Sequence, residues 1–266
     1  MRPEEDNLVI QGGKMPEQVR VPILYYHRVA EGISPRQGVS QSVFKSHVGY
    51  LRRHGYQSIG FQALANRLQI GTLLPSRPVI FTFDDGYLDT FTSAYPILKE
   101  AGFSATIFMV SGFIGSFTEW EGSRENRVPL MSRENILTLS ADGFDFGGHT
   151  RTHKKLVSIS REEALYEIET GKRDLEELLQ KPIHSFAYPY GDFNDQIIAL
   201  VRNSGFKAAR TVHTGNTHQE KDLLRLTCVK INGLTPAWKF KYYLTGLYHW
   251  DLLWQEWKKA RREHGK

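Results

Sequence analysis

The chain has 266 residues, a length that favours one barrel or one doubly wound domain over two domains. Hydrophobic residues make up 40% of it and charged residues 24%, so a disordered chain is excluded as the default. The net charge is +5, and residues 239–266 alone hold seven Lys or Arg against three Asp or Glu. Because the remaining chain is close to neutral, we expect no nucleic-acid partner for the fold as a whole.

The first ten residues do not form a secretory signal. Glu4, Glu5 and Asp6 stand beside a single apolar run at residues 8–10. No segment approaches the roughly 18 consecutive apolar residues that a membrane span needs. We therefore expect a cytoplasmic protein, unless a signal has been removed.

Seven short, largely apolar segments are typical of buried parallel strands. They are residues 21–27, 79–84, 104–110, 144–148, 184–188, 206–211 and 224–231. Apolar residues at helical spacing predict helices around residues 44–51, 95–98, 165–178 and 197–201. Ser160 and Glu163 predict a capping box at the start of the third of these helices. This alternation predicts an α/β fold, and seven units in one domain favour a closed or nearly closed barrel over an open sheet.

A long loop follows the third predicted strand, at residues 112–131. It contains Phe117 and Trp120, a polar run over residues 121–127, and Pro129. A loop this long in a compact domain is usually functional or disordered. Since it follows a strand, we expect it at the strand-end face, where the active sites of barrels form.

Two adjacent carboxylates, Asp84 and Asp85, close the second predicted strand. Burying them together is costly unless a cation or a proton is shared between them. His149 and His153 follow the fourth predicted strand, and a helical turn over residues 149–153 would place both on one face, roughly 6 Å apart along the axis. Two imidazoles and one carboxylate make a facial set for a divalent metal, with positions left for water and substrate. Taken singly, the Asp pair also fits a helix cap or turn, and the His pair fits a chance spacing.

Residues 82–86 (Thr-Phe-Asp-Asp-Gly) and 149–153 (His-Thr-Arg-Thr-His) resemble the first two motifs of the polysaccharide deacetylase family, the NodB-homology domains of carbohydrate esterase family 4. Residues 187–191 (Ala-Tyr-Pro-Tyr-Gly) resemble its third motif. The resemblance covers about residues 20–235 and leaves residues 236–266 as a basic C-terminal helical segment. It implies a single-domain, distorted (β/α)7 barrel that hydrolyses N-acetyl, and occasionally O-acetyl, groups on sugars.

The resemblance also implies one divalent metal ion, usually zinc, with three ligands: Asp85, His149 and His153. Asp84 would be the general base that takes a proton from the water activated by the metal. The backbone N–H of Tyr190 would help to hold the tetrahedral oxyanion, and Pro189 would fix the loop that presents it to the substrate. A plain turn is the alternative interpretation of residues 188–191.

Two residues of the family pattern are absent from this chain. The third motif usually begins with an arginine directed at the base, and Ala187 stands there instead. Arg210 and Arg225 are both candidates to replace that arginine. The last strand of the family usually carries a histidine that acts as general acid, and residues 224–231 contain none.

His27, at the end of the first predicted strand, is the candidate for the general acid. A subgroup of the family, the deacetylases of β-1,6-linked N-acetylglucosamine polymers, begins with a similar Tyr-His strand. This resembles a circular permutation that moves the acid-bearing strand to the front of the chain. A closed ring of strands allows the exchange because the strand keeps its neighbours. The alternative is that His27 is a hydrogen-bonded core histidine.

Leu247, Trp250, Trp254 and Trp257 recur at three- and four-residue steps, which predicts an amphipathic helix. Four Lys or Arg follow within residues 258–262. Such a helix either packs on the barrel or docks at an anionic membrane surface. Peripheral membrane contact would suit a cytoplasmic enzyme that acts on lipid-linked sugars.

The sequence thus predicts a metal-dependent hydrolase that removes N-acetyl groups from amino-sugar residues of a polysaccharide or oligosaccharide. Two alternatives stay open. One is a deformylase or deacylase of a lipid-linked amino sugar, and the other is a carbohydrate-binding homologue without activity. The intact set of Asp84, Asp85, His149 and His153 argues against the inactive homologue.

Overall fold

A computed structural model describes residues 19–120, 127–252 and 254. Its strands are β1 (Val19–Arg20), β2 (Ile23–Tyr26), β3 (Arg28–Val29), β4 (Gly38–Val39), β5 (Gln57–Ser58), β6 (Pro78–Phe83), β7 (Thr106–Met109), β8 (Asp145–Gly148), β9 (Ser185–Ala187), β10 (Ala208–Thr214), β11 (Thr217–His218) and β12 (Leu226–Lys230). Its α-helices are α1 (Gln41–Arg53), α2 (Phe61–Ile70), α3 (Tyr95–Ala101), α4 (Arg133–Ala141), α5 (Arg161–Leu179), α6 (Asp195–Asn203) and α7 (Ala237–Tyr243).

Seven parallel strands close into a ring in the order β2, β12, β10, β9, β8, β7 and β6, with β6 pairing back to β2. These are the seven predicted strands, each shifted or shortened by a few residues. The short strand β5 pairs with β6 beside the ring. The single-domain α/β architecture and the (β/α)7 barrel are therefore confirmed.

Residues along a ring strand alternate between two hydrophobic clusters. On β2, Ile23 and Tyr25 belong to the cluster inside the barrel, whereas Leu24 and Tyr26 pack under the surrounding helices. Helix α2 adds its apolar face to the inner cluster and lies against the first residues of β8, β9 and β10. It thereby covers one end of the barrel, and the carboxyl ends of the strands are left to form the functional face.

Two helices, α2 and α4, lie outside the predicted set, although both carry a local signal. Helix α2 buries residues 61, 64, 65 and 68, which is helical spacing, and α4 begins at a capping box formed by Ser132 and Asn135. At α5 the predicted cap is present in part. The Ser160 hydroxyl accepts from the Glu163 amide, while the Glu163 carboxylate accepts from Lys154.

The C-terminal segment packs on the barrel through one side only. Phe240 of α7 stacks on His47 of α1 with ring centroids 3.9 Å apart. Residues 246–252 and 254 are helical again, with Tyr248 buried and Leu247, Trp250 and Trp254 exposed. Packing on the barrel therefore accounts for Tyr248, while the predicted apolar stripe stays largely exposed among the described residues. The domain division at residue 235 stays a prediction.

Several sequence features lie outside the described residues. They are the N-terminal residues 1–18, the polar run 121–126, and Trp257 with the basic cluster 258–262. Among the residues that the structure describes, no helix is long and apolar enough to cross a membrane.

Candidate active site

The predicted site residues gather at the carboxyl ends of neighbouring strands. Tyr26 of β2 pairs with Phe83 of β6, so the next residues, His27 and Asp84, leave two adjacent strands at the same level. His149 follows β8 directly. The parallel ring therefore brings together residues that are far apart in the chain, such as Asp84 and Arg210, which are 126 positions apart.

Asp85, His149 and His153 form a compact donor set. All three are buried, and one ligand atom from each lies within 4.8 Å of the others. Asp85 Oδ1 is 3.4 Å from His149 Nε2 and 3.3 Å from His153 Nε2. Ligand atoms bound at about 2.0–2.1 Å to one tetrahedral ion lie roughly 3.3 Å apart, so the spacing fits a single metal.

The hydrogen bonding of His149 also fits a cation. Its Nδ1 lies 2.7 Å from the Ala187 carbonyl oxygen, which can only accept, so Nδ1 carries a proton and Nε2 is the nitrogen that faces Asp85. Burial acts to lower the pKa of His149, but Asp85 and Asp84 bring it above its ordinary value, so a cation at Nε2 would take the place of a proton there. Burial lowers the pKa of His153 to about 4, so its ring is neutral and offers one nitrogen lone pair. Burial acts to raise the pKa of Asp85, but the two imidazoles bring it below its ordinary value. A buried carboxylate facing two imidazole nitrogens is an arrangement that a divalent ion satisfies.

The segment that carries both histidines is not the helical turn that the spacing predicts. Thr150 and His153 have positive φ angles of 64° and 61°, which a helix does not contain. Buried Glu167 of α5 accepts from the backbone N–H of Arg151 at 3.0 Å and of Thr152 at 2.7 Å. The segment departs from a helix because of a long-range contact: a carboxylate fifteen residues away from Thr152 accepts the hydrogen bonds of these backbone N–H groups.

Helix α5 approaches this segment closely because residue 171 is a glycine. A Cβ at Gly171 would lie 2.8 Å from the carbonyl carbon of Thr150, inside van der Waals contact. The helix can therefore place Glu167 directly against the histidine segment. No local sequence signal connects Glu167 to the site, and only the fold reveals it.

Arg210 is the arginine that contacts Asp84. Its Nη2 lies 2.5 Å from both carboxylate oxygens, and the side chain is 1% exposed. Arg210 is also the register partner of Ala187 on the adjacent strand, so the guanidinium comes from the strand next to the one that carries it in the family pattern. Arg225 is exposed and lines a different surface pocket. Of the two candidates, it is therefore Arg210 that lies beside Asp84.

His27 lies on the wall of the same pocket as the two aspartates. Its Nε2 is 2.8 Å from the Tyr25 hydroxyl, and the Tyr25 ring lies 4.1 Å under the Arg210 guanidinium. Burial lowers the pKa of His27, while Asp85 and Asp84 act against that shift and Lys230 adds to it. Tyr25 thus touches both His27 and Arg210, a link that a strand pattern does not reveal.

The pocket has a volume of about 470 Å³ and two aromatic walls. Trp120, from the long loop, and Tyr190 both have ring centroids 4.6 Å from that of His153. Tyr190 has a φ of 61° in the turn Pro189–Gly191, and its side chain is 52% exposed. The loop predicted to lie at the strand-end face therefore does so through Trp120, and Pro189 is buried.

Comparison with known proteins gives the following relations. The family model for polysaccharide deacetylase matches residues 73–209. A Bacillus subtilis protein, YxkH, provisionally assigned as a polysaccharide deacetylase, is 25% identical over 234 residues, 88% of this chain and 79% of that protein. The poly-β-1,6-N-acetyl-D-glucosamine N-deacetylase of Staphylococcus aureus is 26% identical over 172 residues, 64% of this chain and 59% of its own length. The structure of the Streptococcus pyogenes deacetylase PplD has the same fold, with a TM-score of 0.75 and 24% identity over 85% of this chain and 99% of that one.

Proposed function

Because this chain belongs to the polysaccharide deacetylase family, we propose that it removes N-acetyl groups from amino-sugar residues of a polysaccharide or oligosaccharide. The observation that carries this proposal is the buried set of Asp85, His149 and His153 beside an Arg210-bound Asp84. A divalent ion bound by this set would compensate the Asp85 carboxylate, which is buried together with two imidazoles. An open pocket of about 470 Å³ gives a sugar residue access to them.

Asp85, His149 and His153 would hold a divalent ion, with zinc the usual choice for such ligands, which polarises an amide carbonyl and makes a nearby water more acidic. Asp84, held by Arg210, accepts the proton of that water as its oxygen bonds to the carbonyl carbon. The Tyr190 backbone N–H donates to the carbonyl oxygen as it gains negative charge. His27 gives a proton to the nitrogen while the C–N bond breaks, and the products are acetate and a free amino sugar.

N-acetylglucosamine in β-1,6 linkage is the first substrate to test. The support is a relative from Staphylococcus aureus that is named for this activity and is 26% identical over 172 residues. Chitooligosaccharides, which carry the same sugar in another linkage, are the matched comparison. Acetate release from the β-1,6 oligomer alone would favour a linkage-specific enzyme.

The test measures acetate release together with elemental analysis of the purified protein. We expect about one divalent metal per chain, release of acetate, loss of release with a chelator and recovery on adding zinc. Release that a chelator leaves unchanged would contradict the metal role of Asp85, His149 and His153. Saccharide binding by the metal-loaded protein without any acetate release would instead favour the inactive carbohydrate-binding homologue.

Peripheral membrane contact and the related lipid-linked substrate remain proposals. They are favoured by Leu247, Trp250 and Trp254, which are 68%, 69% and 53% exposed. Large apolar side chains exposed together are typical of interaction sites, and tryptophan favours the membrane interface. We expect the double variant Leu247→Ser, Trp250→Ser to co-sediment less with anionic vesicles than the wild type does. Equal binding of the two proteins would contradict the proposed membrane contact.

A further inference from the structure

Lys230 lies on the wall of the reaction pocket, where the proposed chemistry gives it no role. It is the last residue of β12 and the register partner of Tyr25 on β2. Its ammonium lies 5.8 Å from the centroid of the Tyr25 ring, and His27 lines the same pocket. A group bound beside the reacting sugar would therefore meet the ammonium of Lys230.

The carboxylates and the guanidinium at this pocket already have partners. Asp84 is paired with Arg210, and Asp85 faces the two imidazoles. Within the part of the chain that the structure describes, no carboxylate comes within 4.0 Å of the Lys230 nitrogen. The pocket thus presents one cation without a partner of opposite charge among the described residues.

We infer that Lys230 selects substrates that carry an anionic group, a carboxylate or a phosphate, next to the N-acetylated sugar. An ammonium has three donors on a flexible stem and forms charge-assisted hydrogen bonds that are about twice as strong as neutral ones. Loss of this lysine would therefore weaken the binding of an anionic group more than the binding of a neutral sugar hydroxyl. The inference rests on the proposed deacetylase function and names the class of substrate for the same site.

The test compares acetate release from three saccharides of similar length: tetra-N-acetylchitotetraose (chitotetraose below), a hyaluronan tetrasaccharide that carries carboxylates, and the 1-phosphate of the same chitotetraose. Lys230→Met keeps the length of the side chain and removes its charge. Lys45→Met, at an exposed position of α1 away from the pocket-lining residues, is the matched control. The quantity measured is the ratio of kcat/KM for each anionic substrate to that for chitotetraose.

We expect one anionic substrate to be preferred by the wild type and by Lys45→Met, and the ratio to fall about tenfold in Lys230→Met. Added salt should reduce the same ratio, and which of the two anionic substrates responds identifies carboxylate or phosphate. Equal losses on all three substrates, or a wild-type preference for the neutral one, would overturn the inference and leave the proposed function standing.

A binding measurement covers the case in which no substrate releases acetate. That result counts against the proposed function, so the inference is then judged on equilibrium binding of the same three saccharides. Tighter binding of an anionic saccharide that depends on Lys230 would support it. Equal binding by the wild type and Lys230→Met would reject it.

Discussion

Asp84 is held in one orientation by a single guanidinium. Both of its oxygens contact the Arg210 guanidinium. The ring of Tyr25 packs against that guanidinium, with its centroid 4.1 Å away. Held in this way, Asp84 would need no reorganisation before it takes a proton in the proposed reaction. Removing one partner of a buried ion pair leaves the other uncompensated, at a typical cost of about 3–5 kcal/mol.

We therefore expect Arg210→Gln to lower kcat about 100-fold, because the base loses its orientation and its counter-charge. Metal content should stay near that of the wild type, since no described contact joins Arg210 to the three proposed ligands Asp85, His149 and His153. Arg210→Lys, which restores the charge without the planar fork, tests whether charge alone suffices. Arg225→Gln is the control, and a loss of activity in it equal to that of Arg210→Gln would contradict this assignment.

His27→Ala should keep the metal and lose most of its turnover, because no acid then protonates the departing amine. General acids typically contribute about 10²–10⁴-fold. His27→Gln, which can still hydrogen-bond to the Tyr25 hydroxyl, should lose as much, whereas His54→Ala at an exposed position of the chain serves as control. Acetate-release kinetics and elemental analysis measure both quantities. Full activity in His27→Ala would remove this histidine from the mechanism.

Some residues of the site could be predicted from short sequence segments, and others are brought to it only by the tertiary structure. Asp84, Asp85, His149 and His153 could be found in the sequence because each pair stands in one short segment at a strand end. Arg210 could not be separated from Arg225, because the face that a strand residue presents depends on register with its neighbours. Glu167 and Lys230 gave no signal, since only the docking of α5 brings Glu167 to the histidine segment and only closure of the ring brings Lys230 to the pocket.

At the scale of elements, the histidine segment depends on α5. Glu167 accepts two backbone N–H groups and the Thr152 hydroxyl, and it is 2% exposed. In Glu167→Gln a neutral amide oxygen replaces the charged acceptor of both backbone N–H groups, and the Thr152 hydroxyl must turn to accept from the amide nitrogen. We expect a loss of about 2 kcal/mol in the free energy of unfolding and weaker zinc retention. Urea unfolding and competition with a chelator measure these, and wild-type zinc affinity in the variant would show that the segment holds its shape without this bracing.

The contact between α1 and α7 should make stability depend on pH. His47 is buried against Phe240 and bonds to the Tyr26 hydroxyl, and burial lowers its pKa from 6.5 to about 4. Between these pH values the unfolded chain binds more protons than the fold, so this stability is complete above pH 6.5 and is lost as the pH falls towards 4.

The expected loss from His47 between pH 7 and pH 5 is about 2 kcal/mol, at roughly 1.4 kcal/mol for each pH unit. His47→Gln cannot titrate, so its free energy of unfolding should fall by about that much less over the same interval. Urea denaturation of both proteins at the two pH values gives the difference, in which the titration of all other groups cancels. Parallel losses in the two proteins would show that His47 is protonated in the fold.

Helices were predicted less completely than strands. Helix α2 has a clear apolar spacing, but only the structure shows that it covers the barrel end rather than lying along the outside. The turn at residues 149–153 was predicted wrongly, because a periodic pattern carries no information about the bonds from Glu167. Local propensity predicts an element, and tertiary contacts decide where its ends and bends lie.

At the scale of the whole molecule, the three candidate ligands join strands that are not neighbours. Asp85 follows β6, the histidines follow β8, and β7 lies between these strands in the ring. A bound ion therefore links two parts of the barrel in the folded state only. Binding of this kind stabilises a protein by about 2.7 kcal/mol when the free ligand is at 100 times its Kd.

Removing the metal should accordingly lower the Tm of the whole chain by about 5–10 °C. Calorimetry with zinc and with a chelator measures the shift, and Asp85→Asn should show almost none. A wild-type Tm that zinc leaves unchanged would contradict binding to the folded state. An undiminished shift in Asp85→Asn would place the ion elsewhere.

The facing positions of Ala187 and Arg210 on β9 and β10 have a consequence for the charge beside Asp84. Two side chains opposite each other across a parallel ladder start from nearly the same point in space, so either can send a long cationic group to one carboxylate. A guanidinium on either strand could therefore serve Asp84, and the charge would stay in the same place. The requirement at Asp84 is for a cation at one location in the barrel, which more than one position in the chain can supply.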